Sequence, residues 1–226
     1  MPLSKLAGIG DVGLARAVRT EPMQQRSAER LDALLDSAAH VVDEVGFDRI
    51  TTAMVAEHAG ASIGTVYRYF PDRVAVLEAL RDRSVSRFRM RVAQEITNSA
   101  PQNWWGAVDS AITAFVDLYR IEPGFRVIHF ADRQSMPDGA PAEEQAKPNE
   151  GDDAFVVRLA SVLTEEFGLD GGPEMNFRLE VALEMADGLL SRAFRDDNQG
   201  DERFIAECRA ILHGYLVSYY GGPSST

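Results

Sequence analysis

The sequence predicts an all-α protein of about nine helices. Apolar residues recur at three- and four-residue spacing along most of the 226 residues, and the segments carrying that pattern are parted by Gly, Pro and Asp breaks. Two of these segments, on either side of Gly60, are short and close enough to pair around a tight turn. An apolar fraction of 45 % supports a normal core, in one large domain or two modest ones. No uninterrupted apolar run of ~18 residues could span a bilayer, and the amino terminus lacks the features of a secretory signal. A cytoplasmic location without membrane association is expected.

Residues 1–25 mix Gly, Pro and polar residues without a sustained period and are predicted to be a flexible arm. Gly8, Gly10 and Gly13 spell the dinucleotide-binding fingerprint, but that motif needs a preceding strand and a βαβ unit, and neither pattern is present. No cofactor is expected. From Ser27 the pattern becomes helical, with Leu31, Leu34, Leu35, Ala38, Val41, Val42 and Val45 on one face until Gly46. Thr51 is placed to cap a helix over 52–59, Gly60 to end it in the left-handed conformation, and Ser62 to cap the next. In that next helix Val66 and Phe70 are four apart and face inward.

The remaining positions of this second short helix are unusual for a solvated face. Hydroxyls of Tyr67, Tyr69 and Thr65, with Arg68 beside the small Gly64, suit phosphate oxygens and base edges in a major groove. The segment therefore reads as a DNA-binding helix-turn-helix. Thr51, Tyr67, Arg68, Tyr69 and Arg73 are expected to hold phosphates, Ile63, Gly64 and Thr65 to approach bases, and Thr52 and Ser62 to complete the contacting set. Ile63 cannot hydrogen-bond a base but can press against a thymine methyl, while Thr65 offers a hydrogen bond or a methyl. The basic Lys5, Arg16 and Arg19 of the arm are placed to reach an adjacent minor groove.

Gly46-Phe47, Thr51, Val55-Ala56, Ala59-Gly60, Ser62, Gly64-Thr65, Tyr67, Tyr69-Phe70 and Arg73 stand at a spacing that closely resembles the amino-terminal domain of the tetracycline-repressor (TetR) family. The match runs from about Arg26 into the helix after Arg73. The resemblance implies a homodimeric, all-helical transcriptional regulator whose carboxy-terminal domain binds a small molecule that releases it from an operator. Domains are expected at 26–72 for DNA and 73–226 for ligand and dimerisation.

Beyond Pro71-Asp72 a long helix is predicted from Arg73 to about Asn98, with Val74, Leu77, Leu80, Val85, Phe88, Val92 and Ile96 inward. Further helices are expected over about 102–120 and 124–133, then a mobile acidic loop over 135–152, then helices over about 153–167, 173–196 and 200–220. Phe88, Trp104, Trp105, Phe115, Tyr119, Phe125, His129, Phe155 and Met185 are candidates for an apolar or aromatic ligand site. Asp109, Asp117 and Glu184 are candidates to hold a cationic ligand. The last two helices carry more apolar residues than one stripe needs, among them Leu189, Phe194, Phe204, Ile211, Tyr215 and Tyr219. These are expected to form an isologous homodimer interface.

Net charge is −12, but its distribution along the chain is uneven. Residues 1–91 carry 13 Lys+Arg against 12 Asp+Glu, and residues 92–226 carry 10 against 23. A near-neutral head can engage phosphates while an acidic remainder is repelled from the duplex. Cys208, the single cysteine, allows neither an intrachain disulfide nor a cysteine metal site. No H-E-x-x-H, G-x-S-x-G or P-loop is present, so an enzyme is not expected. The competing reading is a dimeric small-molecule-binding protein whose DNA-binding head has degenerated.

Overall fold

The computed structural model describes residues 22–125 and 150–223, which contain eight α-helices and no strand. The chain divides into two compact units, and among the described residues one holds 22–84 with 122–125 and the other 85–121 with 150–223.

The first unit is built on α1 (Pro22–Val45), α2 (Thr52–His58), α3 (Ile63–Tyr69) and the start of α4 (Arg73–Ser99). Helix α1 begins inside the segment expected to be an arm; residues 1–21, with Lys5, Arg16 and Arg19, lie outside the described residues. Leu34, Leu35, Ala38, Val41 and Val42 of α1 form one core with Ile50, Val55, Val66, Phe70, Leu77 and Leu80. The caps are as the sequence implies. Thr51 Oγ1 accepts from the Met54 amide at 3.2 Å and Ser62 Oγ from the Thr65 amide at 3.1 Å. Gly60 adopts φ +57, while its amide donates to the Glu57 carbonyl at 3.1 Å and the Ala61 amide to the Ala56 carbonyl at 2.9 Å. These two bonds make the Schellman closure that lets α3 start three residues later.

Arg83 of α4 bonds the Asp36 carboxylate at 2.7 Å and the Leu35 carbonyl at 3.0 Å, fastening α4 to α1. The turn after the later helix ending at Ile121 also belongs to this unit: Gly124 lies so close to α1 that a Cβ would meet the Ala39 carbonyl oxygen at 3.0 Å. Residues 122–125 are therefore turn where a helix over 124–133 was expected, and 126–133 lie outside the described residues.

The second unit combines the rest of α4 with α5 (Trp104–Ile121), α6 (Glu150–Phe167), α7 (Pro173–Ala193) and α8 (Glu202–Tyr220). Residues 150–152, expected in the loop, begin α6. Helices α7 and α8 form the most extensive pairing, through a turn at Gly200. Gly200 has φ +83, and a Cβ there would sit 2.7 Å from the Phe194 ring. Phe194 is consequently buried inside its own chain and stacks on Tyr119 at 4.8 Å, which removes it from the expected dimer face. Cys208 is fully buried; burial pushes its thiol up to about 11, so it acts as a packing residue.

Two glycine substitutions separate conformational strain from steric strain. Gly60→Ala faces no neighbour within 4 Å and should cost about 1 kcal/mol from the left-handed backbone alone. Gly200→Ala adds the collision with Phe194 and should cost a further 1–3 kcal/mol or so, read as the larger fall in midpoint on denaturant unfolding. Equal losses would show that the α7–α8 turn relaxes freely.

Candidate functional site

Helix α3 presents two distinct outer faces. Thr65, Arg68 and Tyr69 share one of them and, with Arg26, Ser27 and Arg30 from α1, line an open cleft. The Tyr69 hydroxyl is 3.2 Å from Ser27 Oγ, and the Arg68 guanidinium lies 5.2 Å from the Tyr69 ring centre. The hydrogen bond with Ser27, helped by Arg68, lowers the Tyr69 phenol below its ordinary range. Three guanidinium groups and three hydroxyls thus converge on one concave strip, a donor set suited to phosphate oxygens.

The other face carries Ile63 and Tyr67, 42 % and 52 % exposed, one turn apart, with Gly64 beside them. Thr65 thereby sits on the arginine-lined side and not with Ile63 and Gly64, and Tyr67 sits away from the hydroxyl cluster to which its type assigned it. Thr51 and Ser62 are exposed but already accept the capping bonds. Two expected DNA contacts turn inward. Thr52 is 9 % exposed on the packed face of α2. Arg73 donates to the Phe47 carbonyl at 2.7 Å and lies against the Phe47 ring, so its charge holds the loop before α2. Arg26, Ser27 and Arg30 were missed because nothing local shows that the start of α1 returns beside Tyr69; their only signal is two arginines four apart near a helix start.

In the second unit an apolar cavity of about 50 Å³ lies among five helices. Phe88 of α4 packs between Phe115 of α5 and Phe155 of α6, at ring distances of 5.0 and 4.8 Å, and all three line it. The rest of the wall is Val108, Ala111 and Ile112, then Leu159, then Leu179, Ala182, Leu183 and Ala186, and finally Leu212, without one polar side chain. Three of the expected ligand residues are therefore in this wall. Trp104 is buried elsewhere, edge-on to Trp105 and Tyr220, and Trp105 packs on His213. Met185 is half-buried outside the wall, Phe125 is buried in the first unit, and His129 lies outside the described residues.

Tyr119, one turn beyond Phe115, is fully buried with its hydroxyl 2.9 Å from Ser191 Oγ and 3.4 Å from the carboxylate of Asp187, itself 5 % exposed. Burial, and then the Asp187 charge, raise the Tyr119 phenol far above its usual range and keep it a donor. The carboxylates proposed to hold a cation are neutralised: Asp109 pairs with Arg209, and Asp117 with Arg91. Glu184 is exposed and has partners of its own.

Residues 34–80 match the model for bacterial regulatory proteins of the tetR family, and residues 102–220 match the tetracyclin repressor-like carboxy-terminal domain. The chain belongs to the TetR family. It is 31 % identical to a TetR-family transcriptional regulator from Streptomyces coelicolor, over 84 % of this chain and 98 % of that one, with a TM-score of 0.68. The transcriptional regulator FadR from Bacillus subtilis, solved with stearoyl-CoA, shares the fold at 18 % identity and a TM-score of 0.65, over 84 % of this chain and all of that one. The nucleoid occlusion factor SlmA of Pasteurella multocida is 29 % identical over 105 residues, 46 % of this chain and 52 % of that protein. The chain thus spans about half the length of the curated relatives it matches first. Membership in the TetR family accounts for an all-α chain with a helix-turn-helix unit and a separate helical unit. No described helix is long and apolar enough to cross a membrane.

Because the Tyr119 hydroxyl sits in a buried polar cluster, Tyr119→Phe should lower unfolding stability by about 1–3 kcal/mol, the cost of removing a buried hydrogen-bonding group from that cluster. Unchanged stability in urea would mean that the other partners of Ser191 and Asp187 satisfy them without the phenol.

Proposed function

We propose that this chain is a DNA-binding transcriptional regulator, a repressor that holds a palindromic operator as a homodimer and is released by a small apolar or aromatic molecule. The observation that carries this reading is the cleft in which Arg26, Arg30 and Arg68 converge with the hydroxyls of Ser27, Thr65 and Tyr69. A degenerate head has no reason to keep six phosphate-binding groups on one strip, so the competing reading of a binding protein without DNA contact is disfavoured. Homodimerisation is supported by Phe177, Ile211 and Tyr219, which expose 60 %, 42 % and 52 % of their surface on α7 and α8. Leu189, Phe204 and Tyr215 are half-buried on the same two helices. Action in the cytoplasm and the absence of catalysis follow from this reading.

The cavity of Phe88, Phe115 and Phe155 supports an effector without buried polar groups, since a polar atom placed there would lose its water without gaining a partner. Its volume of about 50 Å³ is well below the 300–1,000 Å³ or so of ordinary small-molecule sites. Entry therefore requires the three phenylalanines to turn or their helices to part. Phe88 stands on α4, the helix whose first half is bonded to α1 through Arg83, so that rearrangement would act on the helix that continues into the DNA-binding unit.

Anisotropy titration with duplex from upstream of the protein's own gene, against scrambled duplex at two salt concentrations, tests DNA recognition. Arg26→Ala, Arg30→Ala and Arg68→Ala should each weaken binding to all sequences alike and flatten the dependence of log K on log salt by about 1 for each phosphate no longer neutralised. An unaltered salt slope in all three would remove the cleft from the interface. Ala111→Phe, which fills the cavity, should keep operator binding and abolish release by any apolar effector found by thermal shift. Release that persists would place the effector elsewhere.

A further inference from the structure

We propose that Ile63, Gly64 and Tyr67 form the base-reading face of α3, and that this face selects thymine C5 methyl groups in the major groove. The inference rests on the DNA-binding reading above and adds what the protein recognises there.

The division of α3 into two faces leads to it. Thr65, Arg68 and Tyr69 line the arginine cleft with α1, which leaves Ile63, Gly64 and Tyr67 as the outward remainder. The hydroxyl of Thr65 is 2.9 Å from Ser62 Oγ, which also accepts the Thr65 amide, so it lies on the cleft side at the helix start and not among Ile63, Gly64 and Tyr67. What remains on the reading face is an aliphatic side chain, a glycine and one phenol. Ile63 offers no hydrogen bond at all. Among the base edges of the major groove, the group that pairs with such a surface by contact is the thymine methyl.

Gly64 supplies an independent observation. Its backbone is not in the left-handed region, and a Cβ would meet only Ser62 Oγ at an ordinary 3.9 Å. Neither conformation nor packing within the chain requires glycine, although glycine is a poorer helix former than alanine. Its neighbours on this face, Ile63 and Tyr67, are both exposed. A missing side chain at that point lets the backbone approach another surface closely, as it must if the Ile63 side chain is to reach the floor of a groove.

The test uses the full-length protein. Bound duplexes are enriched from a random-sequence pool, and each thymidine of the resulting half-site is then replaced by deoxyuridine, which removes only the C5 methyl. Affinities are measured by anisotropy for the unsubstituted protein, Ile63→Ala and Gly64→Ala. One or two deoxyuridine positions per half-site should weaken the unsubstituted protein about fourfold, which corresponds to about 0.8 kcal/mol for one methyl. Ile63→Ala should bind the thymidine and deoxyuridine duplexes equally. Gly64→Ala should unfold no earlier than the unsubstituted protein yet bind the enriched duplex several-fold less tightly. The proposal is overturned if no deoxyuridine position matters, if Ile63→Ala remains as sensitive as the parent, or if Gly64→Ala binds normally. Failure to enrich any sequence would instead sink the DNA-binding reading, and this inference with it.

Discussion

The face proposed to meet DNA depends on holding two helices that are too short to hold themselves. Helices α2 and α3 have seven residues each, and isolated helices below ~12 residues are marginal in water. Their order comes from outside. Val55 and Val66 are fully buried and Phe70 is 3 % exposed in a core shared with α1 and α4, while the caps at Thr51 and Ser62 and the closure at Gly60 satisfy the exposed helix ends. Because one stripe of α3 does the holding, the exposed positions Ile63 and Gly64 are spared that duty, and low helix propensity is tolerated there.

Charge follows the same division of labour. The first 91 residues contain 13 Lys+Arg, yet several of these never face outward as free cations. Arg73 is committed to the Phe47 carbonyl, Arg83 to Asp36 and Leu35, and Arg91 to Asp117. Guanidinium suits this work because it satisfies a carbonyl and a carboxylate from one planar fork. The cationic strip at Arg26, Arg30 and Arg68 is thus defined by what the other arginines are doing as much as by its own members.

The second unit separates apolar from polar burial. Small residues at Ala111, Ala182 and Ala186 leave room where phenylalanines from three helices meet, whereas one turn beyond Phe115 the Tyr119 hydroxyl is hydrogen-bonded to Ser191 and Asp187. Helix α4 carries Arg83 into the first unit and Phe88 into this wall over a span of five residues, without a break in the helix.

The sequence by itself determined the helices and their punctuation. Thr51, Gly60 and Ser62 act through neighbours within a few residues, so the caps, the turn and the family were legible, as were the inward stripes of α1 and α4. It also identified Ile63, Arg68 and Tyr69 as chemically suited to DNA. Only the tertiary structure decided which side each residue faces and who stands opposite. Arg26 and Arg30 joined Tyr69 across more than thirty positions, Arg73 and Thr52 turned inward, and Phe194 closed on Tyr119. For the cavity the reason is sharper. An aromatic that fills a core and one that walls a void bury the same surface, so Phe88 and Trp104 look alike until the packing of five helices places Phe88, and not Trp104, in the wall of this cavity.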